Sequence, residues 1–270
     1  MVNLLPKRTA DSILALKHRH TWRTDQRSHL AYHEEYATRG ELVEELQRWT
    51  GARGRERARV LEFGCSGANN LRLMRERGMG RVDYCGLDIN AKAIDFARRT
   101  HPDASFHVCD DIGFARLAPQ LGRFDGFLAF AVLYYIPPTR VQNLLQAAAG
   151  IADHLFICDD LSRFDAEAGS SEGLFLHPWA AMCREVGLDI VHGPVQSHEA
   201  GNRHGFFVAR ARSSTSASSS RVVTPGVRSR QSCMAGEHHG GTIMPCSTAC
   251  CANQSCGDVL GCDTGLGGNG

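Results

Sequence analysis

The feature that most constrains this chain is an alternation. Between residues 55 and 212, apolar strand-like runs alternate with helical patterns. The runs are RVLEFG (59–64), VDYCGLD (82–88), SFHVCD (105–110), FDGFLAFAVL (124–133), HLFICDD (154–160), LDIVHG (188–193) and HGFFVARA (204–211). Several are apolar on both faces, as expected for strands covered on both sides of a sheet. Asn90 is placed to cap a helix with Ala91, Ile94 and Ala97 on one face, stopped before Pro102. Thr139 is placed to cap another, carrying Val141, Leu144, Leu145 and Ala148. A third, PWAAMCREVG, begins at Pro178 and ends at Gly187. Alternating β and α predicts an α/β domain with a mainly parallel sheet.

The segments outside this body read differently. GELVEELQRWTG (40–51) is patterned as an amphipathic helix with Leu42, Val43, Leu46 and Trp49 inward. The stretch 9–38 reads as helical and polar, and residues 1–54 are expected to form a helical cap over one edge of the sheet. Residues 213–220, SSTSASSS, read as a linker, and no Phe, Tyr or Trp follows it. A Gly-, Ser- and Cys-rich segment of this kind buries too little apolar area to offset its chain entropy. The expectation for 213–270 is a disordered tail, leaving 55–212 as the main domain.

Charge excludes some partners. Thirty Lys and Arg against 29 Asp and Glu leave a net charge of +1. No basic stripe points to nucleic acid or anionic lipid. No apolar run approaches the roughly 20 residues needed to span a membrane. The N-terminus lacks a signal-peptide pattern, so the expected location is cytoplasmic. Cys65, Cys85, Cys109, Cys158 and Cys183 fall mostly in strand-like runs, where Cys behaves as a small hydrophobe. The other six lie between Cys233 and Cys262, with irregular spacing and no C-x-x-C pair. A zinc domain is therefore not expected, and no metal is assigned. In the cap, His29 and His33 are four apart, but the pattern H-E-x-x-H fails because Ala37 stands where its second His would be. With His18, His20, Tyr32 and Tyr36 they read as a polar wall facing a substrate or as a solvated helix face.

Ligands of open α/β sheets bind outside the carboxyl ends of the strands. Here those ends carry acids. The first strand runs into Glu62-Phe63-Gly64-Cys65-Ser66-Gly67-Ala68-Asn69-Asn70. The second ends in Asp88, and the third in Asp110-Asp111. The steps of 26 and 22 positions are each one βα unit, which aligns the acids along one sheet edge. The small residues after Glu62 allow a tight turn and close approach of a ligand to backbone. A G-x-G-x-x-G fingerprint fails at Ser66 and Asn69, which disfavours a nicotinamide cofactor. The chain has no G-x-x-x-x-G-K-[ST] loop.

With these motifs in order, the chain resembles the class I S-adenosylmethionine-dependent methyltransferases. VLEFGCSGANNLRLM, GLDINAKAIDFAR, FHVCDD and FDGFLAFAVLYYIPP resemble their first four strand motifs, and LDIVHG with HGFFVARA their final strand pair. The resemblance covers about residues 55–212. It implies a three-layer Rossmann-like fold with seven strands, the last antiparallel, and helices on both faces. It implies S-adenosylmethionine as cofactor. Glu62 and the turn Gly64, Cys65, Ser66, Gly67 and Ala68 would face its methionine part, and Asn70 would also bind the cofactor. Asp88 would hold the ribose hydroxyls, and Asp110, or else Asp111, the adenine amino group. Ile89 and Ile112 would flank the adenine, and Phe130 would lie near cofactor and substrate. Ser66 and Ala68 stand where the family often has Gly.

A sulfonium methyl is already activated, so the chain needs chiefly to align an acceptor and exclude water. A base is needed only if the acceptor must lose a proton. Candidates on the acceptor side are Tyr134 and Tyr135 after the fourth strand, and Asp159 with Asp160 after the fifth. The expected acceptor is a small molecule. Two other readings use the cysteines. One is a non-catalytic cofactor sensor or thiol-rich metal or metalloid binder, arsenite methylation included. The other is methylation of a peptide, suggested by TIMPCSTACCANQSCGDVLGC.

Overall fold

A computed structural model describes residues 7–25, 37–51, 57–79, 82–171, 173–196 and 204–212. The expected tail at 213–270 and the pair His29 and His33, with Tyr32 and Tyr36, lie outside the described residues. In chain order the elements are α1 (Lys7–Thr24), α2 (Ala37–Gly51), β1 (Ala58–Phe63), α3 (Asn69–Glu76), β2 (Val82–Asp88), α4 (Ala91–Thr100), β3 (Ser105–Val108) and α5 (Asp111–Leu121). They continue as β4 (Phe124–Phe130), a 3-10 turn (Leu133–Tyr135), α6 (Pro138–Ile151), β5 (Ala152–Asp160), β6 (Gly169–Ser171), β7 (Leu174–Leu176), α7 (Trp179–Glu185), β8 (Leu188–Gln196) and β9 (His204–Ala211).

Among the described residues, seven strands form one sheet in the order β3-β2-β1-β4-β5-β9-β8. β1 pairs in parallel with β2 and β4, and β9 inserts antiparallel between β5 and β8. Along the middle of the strands the side chains divide by period two. Leu61, Phe127, Leu155, Ile157 and Phe207 enter one apolar layer with Phe114, Leu144 and Trp179. Val60, Leu128, Phe156, Cys158 and Val208 enter the other with Leu42, Leu46, Leu71 and Ile94. Helices therefore cover both faces, which explains why the strands read as near-continuous apolar runs. The alternation predicts the mainly parallel α/β sheet, and the arrangement is the three-layer Rossmann-like fold that the resemblance implies.

Local signals hold at several points. The Asn90 side chain accepts from the backbone N–H of Lys92 and of Ala93, capping α4. Gly187, at φ 75°, lies two residues past the end of α7. Thr139 does not cap α6: the helix begins at Pro138, with Pro137 in the cap position and no side-chain cap bond. Proline's fixed φ and missing N–H suit a helical first turn, so the cap moves two residues upstream, from Thr139 to Pro137. The cap is also placed differently from expectation. α2 packs on a sheet face through Leu42, Val43 and Leu46. α1 lies over the carboxyl ends of the strands rather than over a sheet edge, through contacts described below. The hairpin β6–β7 was not foreseen, because its three-residue strands are too short for a periodic signal.

Candidate functional site

β1 departs from β2 on one side and β4 on the other, with β2 leading outward to β3 and β4 to β5. This is the switch point at which open α/β sheets form a crevice. The cleft there holds about 1090 Å³ of empty space, part of it open solvent. Its floor is the turn after β1. The backbone N–H groups of Gly64 and Cys65 both donate to the Leu87 carbonyl, at 2.7 and 2.9 Å, folding the chain sharply. Gly64 has φ 79°, and a Cβ there would sit 2.6 Å from Val132 Cγ2. Ser66 and Ala68 also have positive φ, 49° and 66°. That conformation is strained for residues with a Cβ, which gives a physical reason for glycine at such positions.

The three acids converge on this cleft. The Asp88 carboxylate accepts from the backbone N–H of Ser66 and of Asn90, both at 2.8 Å. Glu62 is buried, accepting from Asn70 Nδ2 at 2.6 Å and from the Tyr84 hydroxyl. Burial pushes its carboxyl up to about 7, against the opposing pull of Tyr84, Asn70 and Arg39. Asn70 Oδ1 is buried with no hydrogen bond among the described residues, an acceptor facing away from Glu62. Asp110 is already engaged. Its Oδ1 accepts from Gly113 N at 2.8 Å, capping α5, and its Oδ2 pairs with Arg19 and, at 3.3 Å, with Arg23. Asp111 pairs with Arg140 at 2.8 Å and Arg19 at 3.7 Å, while burial raises its carboxyl.

The opposite wall comes from α1. Besides Arg19 and Arg23, it presents His18 and Trp22 to Tyr135, with ring centroids 5.0 and 4.9 Å apart. His18 Nε2 lies 2.6 Å from the Gly173 carbonyl, and Asn90 Nδ2 donates to the Asp25 carbonyl at 2.8 Å. The helix is thus tied down at both the hairpin and α4. Trp22 Nε1 is buried without a hydrogen bond among the described residues. A donor left this way costs about 1–3 kcal/mol unless water or a ligand accepts from it. Arg39 from α2 stacks its guanidinium 4.5 Å over the Phe130 ring.

Most expected site residues line this cleft: Glu62, Gly64, Cys65, Ser66, Asn70, Asp88, Ile89, Asp110, Asp111, Phe130 and Tyr135. Gly67 is buried behind the turn and does not line it. Ile112 is 53% exposed and lies off the cleft wall, because α5 turns it to solvent. Tyr134 is turned away, its ring 4.5 Å from Tyr135 and 5.5 Å from His204. Asp159 does not reach the cleft either. It is fully buried, accepts from Asp160 N at 2.7 Å, and faces the backbone N–H groups of Leu133 and Tyr134. Burial raises its carboxyl well above the usual range. Its position makes it a support for the 3-10 turn rather than a group on the acceptor side. His177 supports the same turn, with its Nε2 3.0 Å from the Leu133 carbonyl. Arg19, Trp22 and Arg39 also line the cleft and carried no motif in the sequence.

Among the described residues, no cluster of three His, Cys, Asp or Glu side chains could hold a metal ion, and no helix is long and apolar enough to cross a membrane.

With the cleft described, comparison with other proteins places it. Residues 32–205 match a family model described as a methyltransferase domain, and the chain belongs to this family. It is a methyltransferase on a Rossmann-like fold. No curated protein matches the sequence. Among solved structures, it is similar to a 1,6-didemethyltoxoflavin-N1-methyltransferase from Burkholderia thailandensis, solved with 1,6-didemethyltoxoflavin and S-adenosylhomocysteine. The TM-score is 0.56 at 18% identity, over 79% of this chain and 93% of that one. It is also similar to a magnesium protoporphyrin IX methyltransferase from Synechocystis PCC 6803 with bound S-adenosylmethionine. There the TM-score is 0.53 at 14% identity, over 78% of this chain and 100% of that one. These identities speak to the shared fold.

Proposed function

We propose that this methyltransferase takes its methyl group from S-adenosylmethionine held in the cleft beneath α1 and passes it to a small-molecule acceptor. The observation that carries the reading is the convergence of Glu62, Asp88 and Asp110 on one cleft beside a positive-φ turn. The residues present fit such a cofactor. Asp88, oriented by the backbone N–H groups of Ser66 and Asn90, lines the cleft and suits the ribose hydroxyls. The orphaned Asn70 Oδ1 and the Glu62 carboxyl suit an ammonium group, which would also draw Glu62 toward its ionised form. Gly64, with no room for a Cβ, lets backbone approach a ligand. Arg19 would remain over Asp110, closing the adenine end. When bound, the cofactor supplies an activated methyl on a sulfonium; the chain orients the acceptor and excludes water.

The charge balance supports a small acceptor over a polyanion. The five cysteines of the described body are free and buried, which fits a reducing cytoplasmic compartment.

Calorimetric titration with S-adenosylhomocysteine tests the reading. Asp88→Ala removes hydrogen bonds to a charged acceptor, and is expected to weaken binding roughly hundredfold. Equal binding by the variant, or none by the folded parent, would overturn it.

A further inference from the structure

Resting on that reading, we propose that His18 is the catalytic base for an acceptor that is a planar aromatic or heteroaromatic ring bearing an acidic O–H or N–H. The ring is seated against Trp22 and Tyr135. Three observations carry this.

The first is the tautomer of His18. Its Nε2 lies 2.6 Å from the Gly173 carbonyl, and a carbonyl can only accept. Nε2 therefore carries the hydrogen, and in the neutral ring Nδ1 keeps its lone pair. An imidazole whose far nitrogen is fixed by a hydrogen bond is oriented to take a proton at the near one. His18 lines the cleft, and Gly173 belongs to the hairpin outside it.

The second is the shape of the wall. Tyr135 meets His18 at an interplanar angle of 59° and Trp22 at 55°. These tilted rings, with Val132 and Ile136 beside them, form an apolar aromatic wall suited to a flat ring. The third is the buried Trp22 Nε1, a donor on the same wall with no partner among the described residues. A polar substituent on the ring would accept from it and fix its rotation.

The surroundings leave the base role to His18. The titratable groups near it are Tyr135 from the 3-10 turn and Lys17 and Arg19 on its own helix, with Arg19 paired to Asp110. Among the described residues, β6 and β7 bring no titratable group. Asp159, the carboxyl nearest in sequence terms to an acceptor role, is sealed behind the turn. In the transfer, a bond forms from the acceptor O or N to the methyl carbon as the carbon–sulfur bond breaks. That bond's electron pair stays on sulfur, which becomes a neutral thioether, and the acceptor's proton passes to His18 Nδ1.

The test uses the full chain saturated with S-adenosylhomocysteine and 4-nitrophenol as the probe, whose visible absorbance reports its own ionisation. The parent protein is expected to bind it with quenching of Trp fluorescence. The bound phenol should ionise about one pH unit below the free compound, as a proton acceptor beside it dictates. His18→Gln should bind S-adenosylhomocysteine like the parent yet lose that shift. Trp22→Phe should keep the shift and lose most of the quenching. Identical ionisation in parent and His18→Gln, quenching that survives in Trp22→Phe, or no binding of the phenol to the loaded protein would overturn the proposal. Absence of S-adenosylhomocysteine binding in the parent would instead overturn the cofactor reading beneath it.

Discussion

The two walls of the cleft are built in opposite ways. The wall that receives Glu62 and Asp88 grows out of the sheet. Its carboxylates are held by bonds within the β1–α4 region: Ser66 N and Asn90 N to Asp88, Asn70 and Tyr84 to Glu62. The wall that carries His18, Arg19 and Trp22 is a separate helix, attached through Asp110, Tyr135, Gly173 and Asn90 at sequence separations of up to 155 residues. The first is part of the folding core. The second is a docked element whose attachments are mostly polar and partly exposed. The difference implies that damage to the sheet-built wall unfolds or empties the site, while damage to the helix-built wall changes how ligands are held.

The largest effect expected is at Gly64. A Gly64→Val change adds side-chain atoms where a Cβ alone would meet Val132 at 2.6 Å, on a backbone at φ 79°. Stability is expected to fall by about 3 kcal/mol or more, read by urea unfolding, with S-adenosylhomocysteine binding lost. A variant as stable as the parent would break the claim that this turn belongs to the core.

Glu62 comes next. Its carboxyl is raised from 4.5 to about 7 in the fold, so between those values the folded state holds a proton that the unfolded state has released. The ligand-free protein therefore loses stability as pH rises through that window, by on the order of 3 kcal/mol. Glu62→Gln keeps the hydrogen-bonding shape without the ionisation. Unfolding of the two proteins at pH 5 and pH 8 should show the variant gaining on the parent at the higher pH. A pH-independent difference would contradict the assignment.

On the other wall, Arg19→Met removes a partly buried ion pair worth about 1 kcal/mol. S-adenosylhomocysteine should dissociate about fivefold faster in stopped flow, with little change in urea unfolding. If instead the fold melts early, the helix is not the separable element described above. Smallest of all is Ile112→Ala. The side chain is half exposed and off the cleft wall, so stability and affinity should each move by less than about 0.5 kcal/mol.

The same contrast governs what the sequence could disclose. The sheet-built wall is legible because its chemistry sits at strand ends, one βα unit apart, next to small residues that mark a turn. The acids at 62, 88 and 110 need only the alternation of elements to be brought together. The helix-built wall has no such spacing. Arg19, Trp22 and Arg39 look like ordinary surface positions until tertiary packing delivers them, and His18 could be read only as a polar wall or a solvated face. Asp159 illustrates the converse. It ends a strand on the correct side of the sheet, yet the 3-10 turn folds over it and draws its carboxyl into supporting backbone. Ile112 was misplaced for a simpler reason: capping by Asp110 starts α5 at once, and the first turn points Ile112 outward.

The central claim is that one ligand spans both walls. A crystal structure of the full chain with S-adenosylhomocysteine tests it most directly. The account predicts the ribose hydroxyls on the Asp88 carboxylate, the amino group at Glu62 and Asn70, and the sulfur facing the His18, Trp22 and Tyr135 wall. A nucleoside bound away from Asp88, or a sulfur pointing away from α1, would contradict it.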